Sequence, residues 1–344
     1  VKISMALQYA GNPREAADQL TELEAAGLDQ VWVAEAYGFD AVSLMGYIAA
    51  RTERLEIAAG ILNVFSRTPG ALLQTAAGLD NVSGGRAVLG LGASGPQVIE
   101  GFHGMPYDRP LGRTREVVEI LRMGLRREPL VYEGKHFTLP LPADQGVGLG
   151  KPLKLLTRPE RADLPIWIAA LGDANVALTA EIADGWLPIF FSPEKARSVW
   201  GETLAKGAAK RSPDLGTLEI SAGGLVAIGE DVKGMLDFVR PYAALYIGGM
   251  GAKGRNFYNQ LFTHYGYEKE AHAIQELYLA GKKKEAEALV PVEFLEEISL
   301  VGPASYVKER IEAFRAAGVT SLQVVPGSDD PVGLIGQLKE WTSA

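Results

Sequence analysis

The chain is 344 residues long, 47% hydrophobic and 22% charged, enough to bury one large α/β core, and no low-complexity run argues for disorder. Its 34 basic against 42 acidic residues give a net charge of -8, which offers no electrostatic footprint for nucleic acid or anionic lipid, and no apolar run reaches the roughly 18 residues of a membrane span. With no cysteine and four scattered histidines (His103, His136, His264, His272), disulfides and thiol redox chemistry are excluded and no zinc-ligand spacing exists. The opening VKISMALQYAG reads as a strand instead of a cleavable signal, so a cytoplasmic protein is expected.

Strand and helix patterns alternate along the chain. Ile3 to Gln8 is a short apolar strand. Pro13 to Gly27 follows as an amphipathic helix with Ala17, Leu20, Leu23 and Leu28 at helical spacing, and Gly27 stands where a left-handed cap is wanted. Val31 to Ala34 is the second strand, Ala41 to Arg51 a helix and Leu55 to Gly60 the third strand. Pro69 opens a helix that ends at Ser83-Gly84-Gly85, and Arg86 to Gly92 (RAVLGLG) is the fourth strand. All four strands are continuous apolar runs, as expected of strands covered by helices. Leu130 to Leu141 alternates like a small hairpin and runs into the glycine-rich ADQGVGLGKP.

The alternation then resumes with a strand from Pro165 to Ala170, the helix DANVALTAEIA, the strand GWLPI and a helix from Pro193 to Lys210. LEISAGGLVAI is the seventh strand, Asp231 to Glu297 is almost wholly helical, and Pro303 to Ala317 is a helix stopped by Gly318. SLQVV supplies the eighth strand and Pro331 to Trp341 the last helix. The count predicts a (β/α)8 TIM barrel spanning 1–344 as a single domain, with insertions at about 128–163 and 231–300. An open doubly wound sheet is the competing architecture, but its first βα loop should carry a glycine fingerprint that is missing here. The G-x-G-x-x-G of Gly90, Gly92 and Gly95 sits after the fourth strand, and no strand ending in an acid follows, so these glycines serve another site.

In a barrel the site lies at the carboxyl ends of the strands. Those ends read Gln8-Tyr9, Glu35-Ala36-Tyr37, Gly60-Ile61-Leu62-Asn63, Gly92-Ala93-Ser94-Gly95, Ala169-Ala170-Leu171-Gly172-Asp173, Pro188-Ile189-Phe190 and Pro326-Gly327-Ser328. They are small, apolar and aromatic, without a lysine for a Schiff base or an acid-histidine cluster for a catalytic metal. Such a mouth suits a flat conjugated cofactor that brings its own chemistry.

The segments VWVAEAYGFDA, IAAGILNVFSRTP, LDNVSGGRAVLGLGASGP, IWIAALGDANVALTAEIADGWLP and VGPASYVKERIEAFRAAGV together resemble the bacterial luciferase-like superfamily over nearly the whole chain. GILN-x-x-SRTP and ASGPQV are similar to its coenzyme F420-dependent oxidoreductase branch, which includes methylenetetrahydromethanopterin reductase and F420-dependent glucose-6-phosphate dehydrogenase. The resemblance implies a non-prolyl cis peptide at Gly60-Ile61 behind the deazaflavin ring, and a phosphate cradle at Ala169, Ala170, Gly172 and Asp173, with Asp173 as helix N-cap. It implies further cofactor contacts at Gln8, Glu35, Ala59, Asn63, Gly92, Ala93 and Ser94. Glu35 and Ser94 are the candidate catalytic residues, acting on a small organic substrate, and a homodimer through the second and third helices is implied. Where the glucose-6-phosphate dehydrogenases keep a histidine and a glutamate, this chain has Ala36 and Ala93, so their acid-base mechanism does not transfer.

Ordinary structural roles stay open beside these. Glu35 can be a rim ion pair, Arg67 and Arg86 structural partners, Phe190 and Phe191 core, and His103 and Tyr107 a cover over the mouth or part of its wall. Lys282 to Lys284 reads as a solvated helix face. Two other functional classes also stay open, an FMN-dependent luciferase-like monooxygenase and a non-catalytic flavin- or deazaflavin-binding protein.

Overall fold

The computed structural model describes residues 1–7, 12–251 and 253–343. Eight parallel strands close on themselves: β1 (Lys2–Ala6), β2 (Gln30–Val33), β3 (Glu56–Ala59), β4 (Ala87–Gly92), β5 (Ile166–Ala169), β6 (Gly185–Leu187), β7 (Glu219–Ile228) and β8 (Ser321–Pro326). Each pairs with the next, and β8 returns to β1 with Lys2 opposite Ser321. The closure is that of a TIM barrel, and it removes the open-sheet alternative. Helices α1 (Pro13–Ala26), α2 (Ala41–Arg51), α3 (Pro69–Ser83), α4 (Pro110–Leu125), α5 (Asp173–Ile182), α6 (Pro193–Ala208), α7 (Ala304–Ala316) and α8 (Pro331–Ser343) cover the outside.

Local sequence sets the helix ends. Asn12 caps α1 by accepting from the amides of Arg14 and Glu15, and Gly27 closes it in the left-handed conformation at φ 112°. Thr68 accepts from the Ala71 amide to start α3, with Pro69 in the first turn. Alternation along the strands then divides the core in two. Residues such as Ile3, Val31, Ile57, Leu89 and Leu91 face the helices, whereas Trp32, Ala58, Val88 and Trp167 form a separate cluster inside the barrel, where the two indoles meet edge to face at 5.3 Å.

The amino-terminal end of the barrel is closed by polar contacts. Lys2 pairs with Glu56 at 2.8 Å, Gln30 donates to Glu56 at 3.0 Å, and Ser321 donates to Gln30 at 3.2 Å. The interior is thus filled by side chains, and a ligand finds room only at the carboxyl end of the strands.

Two short strands lay beyond the sequence reading. Leu62–Asn63 resumes pairing beside β4 after a break at Gly60-Ile61, whose peptide bond is cis. Leu300–Gly302 pairs in parallel with the last three residues of β7. Runs of two or three residues carry no period that a sequence can display. The hairpin is present as Tyr132–Glu133 against Thr138–Leu139, and the stretch between β7 and Leu300 is a chain of short helices from Lys233 to Glu297. Among the described residues, no helix is long and apolar enough to cross a membrane.

Candidate active site

Unusual backbone gathers at the carboxyl end of the barrel. Five non-glycine residues among those described have positive φ, and three of them, Ala36 (45°), Ser94 (57°) and Phe190 (54°), follow β2, β4 and β6. The left-handed region costs an L-residue about 1–3 kcal/mol and persists where the surroundings enforce it, typically at ligand sites. The strand tips are therefore shaped for something other than fold stability.

Leu62 and Leu91, opposite each other in the ladder, both belong to the core under the helices. Their successors Asn63 and Gly92 consequently face the barrel axis, because neighbouring strand residues point to opposite faces. Gly92 is needed there. A Cβ on it would lie 2.6 Å from Cδ1 of Ile61, so its absence lets Ile61 lie across the end of β4, next to Ala169. Ile61, Gly92 and Ala169 make a small, apolar, uncharged floor. Ala59 and Ala170 are packed into the core, which leaves only their backbone for a ligand. Ala93 is half-buried, and Gln8 lies outside the described residues.

The loop after β5 is built as a set of free amides. Its carbonyls are taken: Asn175 Nδ2 donates to Ala169, Trp186 Nε1 to Ala170 at 2.9 Å, and Trp200 Nε1 to Leu171 at 3.1 Å. Among the described residues, the amides of Leu171, Gly172, Asp173 and Ala174 have no acceptor in the protein. Four such donors at the start of α5 fit a phosphate monoester or diester. Gly172 is the N-cap, and Asp173 is the first helical residue with an exposed side chain, so the expectation that Asp173 caps the helix is corrected. A cleft of about 560 Å³ at the outer rim, lined by Gly327, Ser328, Asp330 and Glu340, lacks cations, and its helix start is already capped by Asp330 on Gly333. An anion does not fit there.

Glu35 follows β2 by two residues, only 9% exposed, but its carboxylate is occupied. Arg67 grips it with two bonds of 2.8 and 2.7 Å and also reaches Asp40 at 2.8 Å. Its bond to Glu35, against the opposing effect of burial, holds the Arg67 guanidinium above its ordinary value. A carboxylate gripped bidentately is a poor proton donor. The pair ties the β2 tip to the loop after β3. Arg86 is structural as well, spending its guanidinium on Ser83, Thr52 and the carbonyls of Ala49 and Leu55.

Above the floor stands a wall that strand-tip reasoning did not assemble. Ser94 is exposed, and its carbonyl accepts from Tyr107 at 3.2 Å. Tyr107 stacks on Phe65, and Asn63 holds the His103 ring at 3.3 Å. From the opposite side, the Phe257 ring lies 3.3 Å from where a Cβ of Gly172 would be, bringing the inserted helices onto the amide loop. Tyr258 contacts Tyr246 edge to face, and Phe190 packs against Tyr242 and Tyr246. Burial raises the phenols of Tyr107 and Tyr258, the latter reinforced by Tyr246 and Tyr107, so both stay neutral donors. The aromatic density of YAALYIGGMGAKGRNFYNQ is a sequence signal that the strand-tip pattern passes over. Phe191 is core, stacked on Trp200, and Lys282 and Lys284 are solvated beside Glu285 and Glu287.

Residues 1–321 match the family model described as luciferase-like monooxygenase. A Mycobacterium tuberculosis protein, whose name gives coenzyme F420-dependent oxidoreductase as an inferred activity, is 40% identical over 96% of this chain and 97% of its own length. The 5,10-methylenetetrahydromethanopterin reductase of Archaeoglobus fulgidus is 28% identical over 90% of this chain and 87% of its own. In three dimensions, the coenzyme F420-dependent tetrahydromethanopterin reductase of Methanopyrus kandleri superposes with a TM-score of 0.80, covering 99% of this chain and 97% of that one at 22% identity. With barrel, amide loop and cis peptide in place and the match running over nearly its whole length, the chain belongs to the luciferase-like monooxygenase family.

Proposed function

We propose that the protein is a coenzyme F420-dependent oxidoreductase that transfers a hydride between the deazaflavin C5 and a small organic substrate. One observation carries the reading: an uncharged floor of Ile61, Gly92 and Ala169 lies in the same mouth as four unpaired amides, Leu171 to Ala174. A flat ring attached to a phosphate matches both features, and the relative at 40% identity is assigned the same cofactor. When bound, the deazaflavin supplies a carbon that gives or takes a hydride.

The residues of the chain do the rest. The Leu171 to Ala174 amides anchor the phosphate, Ile61 and Gly92 set the depth of the ring, and the Glu35–Arg67 pair keeps the adjoining tips in register. Ser94 offers a hydroxyl beside the floor. Hydride transfer depends chiefly on positioning, so a Glu35 carboxylate committed to Arg67 is compatible with it.

The two insertions, at about 128–163 and 231–300, shape the substrate side of a single barrel unit, with Tyr107, Tyr246 and Tyr258 giving that side an aromatic, uncharged wall. We read the protein as a cytoplasmic homodimer joined through α2 and α3. Supporting this, α2 has no charge before Arg51, and the one charge of α3, Asp80, is buried on Arg161. An uncharged pair of exposed helix faces suits a second copy of the same chain. The net charge of -8 supports a small-molecule partner and argues against nucleic acid or a membrane.

Fluorescence titration tests the cofactor. Quenching of F420 at low micromolar protein with no response from FMN supports the reading. Preference for FMN turns it to the monooxygenase class, and binding of F420 without oxidation of its reduced form by any carbonyl, imine or enone supports the non-catalytic alternative.

A further inference from the structure

We propose that His103 is a neutral hydrogen-bond donor at the mouth, carrying its proton on Nδ1 and presenting it to an oxygen that gains negative charge as a hydride moves. The inference rests on the F420 reading above and adds a residue that lies outside the strand-tip pattern.

Asn63 fixes the tautomer. Its Oδ1 accepts from the amides of Phe65 at 3.1 Å and Ser66 at 2.7 Å, and this settles which end of the side-chain amide is which. Its Nδ2 therefore turns to His103 Nε2, 3.3 Å away. Two N–H groups cannot face each other at that distance, so Nε2 accepts and the single proton of the neutral ring sits on Nδ1. The His103 amide donates to Val98 and the ring meets Phe102 edge-on at 5.2 Å, which holds it in place from the other side. Among the described residues, Nδ1 has no hydrogen-bond partner, and it is not enclosed.

Position follows from Asn63. It faces the barrel axis beside Gly92, so the imidazole it holds stands over the floor, on the side lined by Ser94 and Tyr107. Among the described residues, no carboxylate contacts the ring to make it a base. As a C–H bond forms at an electrophilic carbon, the π pair of its C=O bond moves onto oxygen, and an N–H aimed at that oxygen bonds more strongly to the product anion than to the carbonyl. The imidazole keeps its proton, since losing it would leave an imidazolate; the proton that completes the reduction comes from water. The same chemistry fits an oxygen of the substrate or a ring carbonyl of the cofactor.

The test uses the full chain with ring-15N-labelled histidine, His103 being assigned by the signal lost in His103→Gln. The expected spectrum at neutral pH shows His103 with Nδ1 protonated and Nε2 bare, and Asn63→Ala moves it toward the Nε2-protonated form while the other three histidines stay put. Saturation with oxidised F420 moves the Nδ1 signal if the ring carbonyl is the acceptor, and later addition of cyclohexanone moves it if a substrate carbonyl is. Nε2 protonation in the unmodified protein, or an Nδ1 signal indifferent to both F420 and cyclohexanone while F420 fluorescence is quenched, overturns the proposal. Absence of quenching with the Nδ1-protonated form intact overturns the F420 reading instead.

Discussion

Gly90 and Gly92 lie two residues apart on one strand, both inward, and the same substitution should have opposite consequences at the two sites. A Cβ on Gly90 would lie 1.7 Å from the Ala59 carbonyl oxygen and 2.9 Å from its carbon, both backbone atoms of β3. Relief requires β3 to retreat by about 1.5 Å while paired on both edges, and overpacking of this kind costs about 3 kcal/mol or more. In a chain of this size that is a melting point lower by about 4 °C or more, or loss of soluble protein. A Cβ on Gly92 meets Cδ1 of Ile61, the free end of a side chain, and a rotation costing about 1 kcal/mol clears it. The displaced methyl moves into the mouth. Gly92→Ala is thus expected to melt within about 2 °C of the parent but to bind F420 at least about tenfold more weakly, a difference of about 1.4 kcal/mol. Circular-dichroism melts and F420 quenching titrations on the two variants decide it. A Gly90→Ala protein as stable as the parent, or a Gly92→Ala protein with parental F420 affinity, refutes the geometry.

Other substitutions probe the surrounding contacts. Arg67→Ala leaves the buried Glu35 carboxylate without its cation, with only a 3.4 Å bond from the Ala41 amide, and should cost about 3 kcal/mol, whereas Glu35→Gln keeps the shape and leaves Arg67 on Asp40, at about 1–2 kcal/mol; urea denaturation giving the reverse order contradicts the positioning role. Asp173→Ala removes an acid beside the amide cradle, so F420 should bind a few-fold more tightly while α5 loses up to about 1 kcal/mol; weaker binding would mean that the carboxylate itself is a ligand. Burial works to raise the Glu24 carboxyl, but bonds from the Arg54, Leu55 and Glu53 amides outweigh it and hold it below the usual value. Its contribution is therefore present above the unfolded value of about 4.3 and lost as pH falls through the lower folded one. Glu24→Gln should melt below the parent at pH 7 with the gap closing toward about pH 3, and a constant gap across that range would show that the carboxylate charge is not the cause.

Much of the architecture was legible because it rests on periodic signals. Apolar runs gave all eight barrel strands, and Pro13, Gly27, Pro69 and Gly84 marked helix ends that the structure keeps. The family resemblance located the cis peptide and the amide loop, neither of which composition could reveal. What stayed hidden was contact between distant segments. Glu35 reads as a lone acid until Arg67, 32 residues on, is seen to grip it, and no spacing rule predicts such a pair. Asn63 and His103 are 40 residues apart, joined only because one follows a two-residue strand and the other a short helix, Pro96–Gly101. Phe257 and Tyr258 come from the inserted helices, and only the folded chain shows that they return to the loop after β5.

The most direct measurement is a crystal structure of the protein with F420 bound. The account predicts the phosphate within hydrogen-bond distance of the Leu171 to Ala174 amides and the ring against Ile61 and Gly92, with its C5 open toward Ser94 and Tyr107. A cofactor bound at the outer rim by Gly327 and Ser328, or a phosphate that ignores the loop after β5, would contradict it.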